Sequence, residues 1–303
     1  MNKELLYAEA TGIRIISDDV DIAIDPVSLT QGSFPHAIIF SGLKSAARGK
    51  TLHGNKENIP VFTSSHTKKL LIRANSKFDT ENFPSAEEII SCTPNRKTTL
   101  RKDGNPVAEF TFFSPKEFPA NSHVLIKTKT RNILYTADIR DKGFKMPTHD
   151  TLIICANKKT PVKEIISKVG NVVIKTENFS DLSDVLCFFN QEFKGVSVGI
   201  DSTITNKAYE YLKADCTVFS NTIKPLSSFA HMPPVIITAD ETLYTDRFCM
   251  FSSDFQKELS LADVYEFTKS SCAKTKIAIC HGLNSIRKRG DITLCCEGSI
   301  IEL

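Results

Sequence analysis

Cations concentrate in three short stretches: Lys127, Lys129 and Arg131; Lys158, Lys159 and Lys163; and Arg287, Lys288 and Arg289. Cations at this spacing either neutralise phosphates along a nucleic-acid backbone or form a plain solvated surface. The net charge of +3, from 38 basic and 35 acidic residues, is too balanced to argue nucleic-acid binding by itself. Metal chemistry needs several converging donors, and the histidines offer no such pattern. His36, His53, His66, His123, His149 and His231 are isolated, and no His-x-His or His-x-x-x-His pair occurs. Nine cysteines are scattered with no Cys-x-x-Cys pair, which fits neither a zinc knuckle nor a disulfide framework. They read as small buried apolar residues. Walker, Gly-x-Gly-x-x-Gly and Gly-x-Ser-x-Gly motifs are absent. Gly199-Ile200-Asp201-Ser202 follows a strand, but a lone glycine is weak evidence for a phosphate site.

The elements that would position these residues fit a chain of 303 residues, long enough for one large domain or two modest ones. Hydrophobic and charged contents of 41% and 24% are those of an ordinary soluble globular protein. No apolar run approaches the roughly 18 residues that span a bilayer. The opening MNKELLYAEATG lacks the apolar core of a signal peptide. The expectation is an intracellular protein with no membrane partner, cytoplasmic or, in a eukaryote, nuclear.

GIRIIS and DIAIDP read as strands joined by a turn at Asp18-Asp19. AIIFSG is a continuous apolar run, suited to a strand buried on both faces. PVFTSS is a strand, and SSHTKKLLIRA a helix. Ser85 and Glu88 resemble a capping box opening a short helix, SAEEII. Lys102-Asp103-Gly104-Asn105 is a turn. VAEFTFF, HVLIKTK, NILYTAD and DTLIICA follow as strands, with a hairpin around Lys129–Asn132. From about Pro161 helices and strands alternate: NVVIKT, VSVGID and PPVIITA are strands, and SDLSDVLCFFNQEF is an amphipathic helix. RFCMFSS, the helix LADVYEFTKSSC and the strand KIAICHG close the chain. This order predicts a split domain over 1–159 and 247–303, with a small α/β domain inserted over 160–246.

NILYTADIRDKG resembles the "ILYTGD-(F/Y)-R" strand of β-CASP nucleases, a branch of the metallo-β-lactamase superfamily. DIAIDP, AIIF, DTLIICA and KIAICHG are similar to the other strands of that family, in the same order. Within the family the chain resembles ligase-associated exonucleases and RNA 3′-end-processing factors, those of mRNA included. The resemblance implies a four-layer αββα sandwich, two mixed sheets face to face with helices outside, carrying an α/β cap. It also implies two divalent metals, usually zinc, held at roughly 2.0–2.2 Å by histidines and carboxylates. Such a pair activates a bridging water and clamps the scissile phosphate.

By the same resemblance, Asp138 and His281 stand at ligand positions, and Glu117 and Cys155 are further donors by residue type. The remaining ligand positions fall on Ser41, Leu43, Ser45, Ala46 and Leu261. Leucine and alanine cannot bind a metal, and Lys44, if it pointed inward, would repel one. Arg140 matches the arginine beside the metal aspartate. The expectation is therefore a chain without catalytic residues or cofactor that binds RNA, another single-stranded nucleic acid or an active nuclease homologue. Lys127, Lys129, Arg131, Lys158, Lys159 and Lys163 are its candidate backbone contacts. The alternative is a divergent metal-dependent exonuclease or phosphodiesterase on RNA or DNA, with zinc held through Asp138 and His281. His53 and His66 flank the expected ligand loop.

Overall fold

The computed structural model describes residues 4–8, 12–26, 34–43, 46, 59–78, 88–115, 121–136, 144–156, 172–176, 182, 185–186, 189, 195–204, 222–244, 249–252, 261–280, 283 and 285–303. The fold is mixed α/β, with three sheets and few helices among these residues. The chain divides into two compact units. One comprises Met1–Pro115, Pro119–Lys158 and Leu259–Leu303, the other Lys116–Phe118 and Lys159–Glu258.

In the first unit a seven-stranded sheet runs β20 (Ile300–Glu302), β1 (Leu5–Ala8), β2 (Ile13–Ile16), β3 (Asp21–Ile24), β4 (Ala37–Phe40), β5 (Val61–Ser64), β6 (Ile89–Cys92). Its pairs are antiparallel as far as β3 and parallel from there to β6. Strand β4, the AIIF run, is buried along its whole length between two parallel neighbours. The helix expected over SAEEII is not what Ile89 and Ile90 form. They begin β6 and pair in parallel with Val61 and Phe62. Two adjacent β-branched residues suit the pleated sheet better than a helix, where their side chains lose rotamer freedom.

The second sheet has eight strands: β18 (Arg287–Arg289), β19 (Ile292–Cys295), β17 (Thr275–Cys280), β11 (Thr151–Ala156), β10 (Asn132–Thr136), β9 (His123–Lys127), β8 (Asn105–Phe113) and β7 (Lys97–Lys102). The turn from β7 to β8 puts Asp103 and Gly104 at φ of 51° and 81°. Two left-handed residues are what a two-residue hairpin loop needs to match strand twist. The loop from β9 to β10 is closed by Thr128, whose backbone N–H donates to the Arg131 carbonyl at 2.9 Å and whose hydroxyl accepts from Arg131 N.

The two sheets share one core. Leu6, Ile13, Ile15, Ile22 and Ile39 of the first pack with Phe110, Ile126, Ile133, Tyr135 and Ile277 of the second. Phe62 meets Phe110 edge-on at 4.8 Å between ring centroids. On the other face of the second sheet, Leu134, Leu152, Ile154 and Ala278 pack with Val264 of helix α2 (Leu261–Lys269). Helix α1 (Ser65–Phe78) lies against β5 and β6, with Leu70 and Leu71 fully buried.

The second unit is built on a parallel sheet in the order β14 (Ile223–Pro225), β13 (Val198–Ile200), β15 (Val235–Thr238), β12 (Val172–Lys175), β16 (Cys249–Ser252). Val172 to Ile174 and Val235 to Thr238 are buried without alternation, as in a parallel sheet covered on both faces. Leu182, Val185, Leu186 and Phe189 are helical and buried, the spacing of one helix face. This unit runs beyond residue 246. Strand β16 pairs in parallel with β12, so 249–252 belong to the inserted sheet and not to the flanking segment. No helix among the described residues is long and apolar enough to cross a membrane.

Candidate functional site

The ends of β3, β4, β10 and β11 bring four polar side chains into one buried cluster. Strand β3 ends at Ile24, and the chain turns at Asp25 with φ of 53°. An aspartate tolerates this left-handed conformation better than most residues do. The turn is fixed by the Asp25 N–H, which donates to the Ile39 carbonyl at 2.9 Å. Gly12, ahead of β2, passes so close that a Cβ there would lie 2.0 Å from the Ile24 carbonyl oxygen.

The Asp25 side chain is only 3% exposed and accepts at least three hydrogen bonds. Ser41 N donates to Oδ1 at 2.7 Å, and Ser41 Oγ donates to Oδ2 at 2.5 Å. The Tyr135 hydroxyl donates to Oδ2 at 2.9 Å. That hydroxyl also lies 3.2 Å from Cys155 Sγ. Because Tyr135 gives its one proton to the carboxylate, the thiol is the donor to the Tyr135 oxygen. The chain of donation runs from Cys155 through Tyr135 to Asp25.

Burial, and then the nearby Asp25 charge, push the Tyr135 phenol well above its ordinary value. Burial is also the main cause that pushes the Cys155 thiol up to about 12. The charges at Asp25 and Cys280 add to that shift. Both groups therefore stay neutral near pH 7. A protonated thiol is a poor nucleophile. We predict that in the folded protein Cys155 resists iodoacetamide at pH 8 while the exposed Cys272 is modified. Peptide mass spectrometry reads both sites, and equal labelling would refute the network.

The ligand positions that sequence analysis assigns divide into those the structure describes and those it does not. Ser41 is engaged twice with Asp25. Leu43 and Ala46 are buried at 1% and 0% exposure in a helical turn where Ala46 N donates to the Gly42 carbonyl. Cys155 faces Tyr135, and Leu261 is the first residue of helix α2. Ser45, Glu117, Asp138 and His281 lie outside the described residues, as do Lys44, His53, Arg140, Lys158, Lys159 and Lys163. His66 sits in the first turn of α1, half-buried, with Nδ1 enclosed and without a hydrogen-bond partner among the described residues. Its pKa is lowered chiefly by burial and secondarily by Lys69.

Among the described residues no three His, Cys, Asp or Glu side chains gather closely enough to hold a metal. The described ligand positions do not fit a dinuclear zinc centre. Ser41 is committed to a carboxylate, and Leu43 and Ala46 carry no donor.

Of the basic residues, Lys129 pairs with Asp19 at 2.8 Å, and Arg131 with the buried Glu4 at 3.6 Å. Thr130 Oγ1 also donates to Glu4, so this hairpin is tied down on the first sheet. Lys127 is exposed at the end of β9. Sequence reasoning does not single out Asp25 or Tyr135, although both stand in the segments quoted for the resemblance, DIAIDP and NILYTAD. A signal for them exists: an aspartate and a tyrosine closing buried strands must find partners. No protein-family model and no curated protein sequence matches this chain.

Proposed function

We propose that this chain has the metallo-β-lactamase four-layer αββα fold with an inserted β-CASP-like α/β cap, and that it acts by binding single-stranded RNA without hydrolysing it. The observation that carries this reading is Ser41. At the head of the loop where the family's first metal ligands stand, its N–H and hydroxyl close onto Asp25. Leu43 and Ala46 then fill the space with apolar atoms. Among the described residues of this loop, Leu43 and Ala46 carry no donor for a cation and Ser41 is turned to Asp25. Two further observations support the fold: two sheets share a core with a helix on the outer face of the second, and a separate parallel sheet is inserted between β11 and α2.

The test is an electrophoretic binding and cleavage assay with a labelled single-stranded RNA. The expected result is a complex at roughly 50 mM salt that weakens steeply by 200 mM, with RNA left intact in manganese, zinc or magnesium. Asp138→Ala and His281→Ala should change neither outcome. Metal-dependent cleavage abolished by both substitutions would make the chain a divergent phosphodiesterase. Absence of RNA binding would leave an active nuclease homologue as the partner to test.

A further inference from the structure

The second sheet ends in a basic edge outside the three cationic stretches named above. Strand β7 reads KTTLRK and follows Arg96, so four of the seven residues from 96 to 102 are cationic. Arg96, Lys97, Arg101 and Lys102 are all exposed. Lys127 joins them across the sheet, because Thr99 pairs with Glu109 on β8 and Glu109 pairs with Lys127 on β9. Two carboxylates lie among these five cations, Asp103 at the hairpin tip and Glu109, which approaches Lys97 at 3.4 Å. Arg101 donates to the Gly104 carbonyl at 2.9 Å, an interaction that orients the guanidinium without cancelling its charge. The contrast with the β9–β10 turn is direct, since Lys129 and Arg131 there are each matched by an acid.

We infer that the β7 edge, extended by Lys127, is the surface that meets the phosphodiester backbone of a nucleic acid. The inference rests on the RNA-binding reading above and names where the nucleic acid is held. A strand rises about 3.4 Å per residue, so Arg96 to Lys102 spans roughly 20 Å. A row of that length matches successive phosphates of a chain better than one compact anion. Thr99 stands within the row and supplies a hydroxyl donor of the kind that commonly binds phosphate. No large aromatic side chain is among the exposed apolar residues of this edge, so the surface supplies charge and no base stacking. Charged residues and the bulge at Leu100/Arg101 also guard an edge strand against pairing with another chain. That role does not account for Lys127, which lies two strands in from the edge.

The test compares the full chain with a variant carrying Arg96→Gln, Arg101→Gln, Lys102→Gln and Lys127→Gln, by RNA titration over a range of salt. Every phosphate of a single strand that is no longer neutralised lowers the slope of log K against log salt by about 0.7, so the slope should fall by roughly 3. Lys127→Gln alone should lower it by about 0.7, and an unchanged thermal midpoint would report an intact fold in either variant. Wild-type binding with the same slope in the quadruple variant would overturn this surface and leave the RNA-binding reading standing. No wild-type binding at low salt would overturn that reading itself. In that case, polyglutamate binding that the quadruple variant loses would assign the edge to an acidic protein.

Discussion

Replacing Asp25 by alanine is expected to destabilise the first unit by about 4 kcal/mol. The carboxylate is buried and accepts hydrogen bonds from Ser41 N, Ser41 Oγ and Tyr135 OH. Removing it strands three buried donors, and each costs roughly 1–3 kcal/mol when left unmade. Some of the cost is recovered if water enters the space, which is why the sum is placed below the maximum. Tyr135→Phe removes one donor and leaves the acid with two, so about 1 kcal/mol is expected. The double variant should cost less than the two single effects together, because the Tyr135 contribution exists only while Asp25 is present. Urea denaturation of the four proteins measures this cycle. A loss below about 1 kcal/mol for Asp25→Ala would mean that the cluster does not brace the sheet ends.

Gly12→Ala should follow closely in size, for a different reason. Its Cβ would sit 2.0 Å from the Ile24 carbonyl oxygen and 2.7 Å from that of Asp25, and both atoms are backbone. No rotamer change relieves such a clash, so β3 or the turn at Gly12 must move. Overpacking of this kind costs roughly 3 kcal/mol at the upper end of its usual range. The movement would also disturb the Asp25 turn, and the Cys155 thiol should become more reactive in the variant. Wild-type stability with an unreactive Cys155 would show that the two segments approach less closely than these distances require.

Much of the strand order was legible because it rests on short-range signals. AIIF, NILYT and TLIICA are apolar runs bounded by polar or turn residues, and each forms the expected buried strand. The Asp103-Gly104 turn was legible for the same reason, since its sequence demands positive φ at both positions. Edge strands were not. KTTLRK and RKR are polar and exposed, and only their partners β8 and β19 make them strands. The strand at Ile89 was hidden by a capping-box pattern, a local preference that parallel pairing with β5 overrides. The late boundary of the inserted unit was hidden as well: RFCMFSS reads as a strand, but the sheet it joins is identified only by its partner β12, more than seventy residues earlier.

The site was legible in part. Of the positions that the resemblance assigns to metal ligands, Ser41 and Cys155 are joined in one network. What links them, Asp25 and Tyr135, is a long-range pairing 110 residues apart in sequence, and no spacing rule reaches that far. The basic cluster at 127–131 carries partners that the sequence does not show. Its cations are real, but Asp19 and Glu4 are brought to Lys129 and Arg131 by the fold, and the sequence places those acids more than a hundred residues away.

The proposed reading of the chain as non-hydrolytic predicts that it holds no zinc. The most direct measurement is the zinc content of the purified chain after equilibration with excess zinc and desalting, read by atomic emission. A content near zero is expected, with no change on Asp138→Ala or His281→Ala. Two tightly held zinc ions per chain, lost on those substitutions, would contradict the closed site and restore a hydrolytic centre.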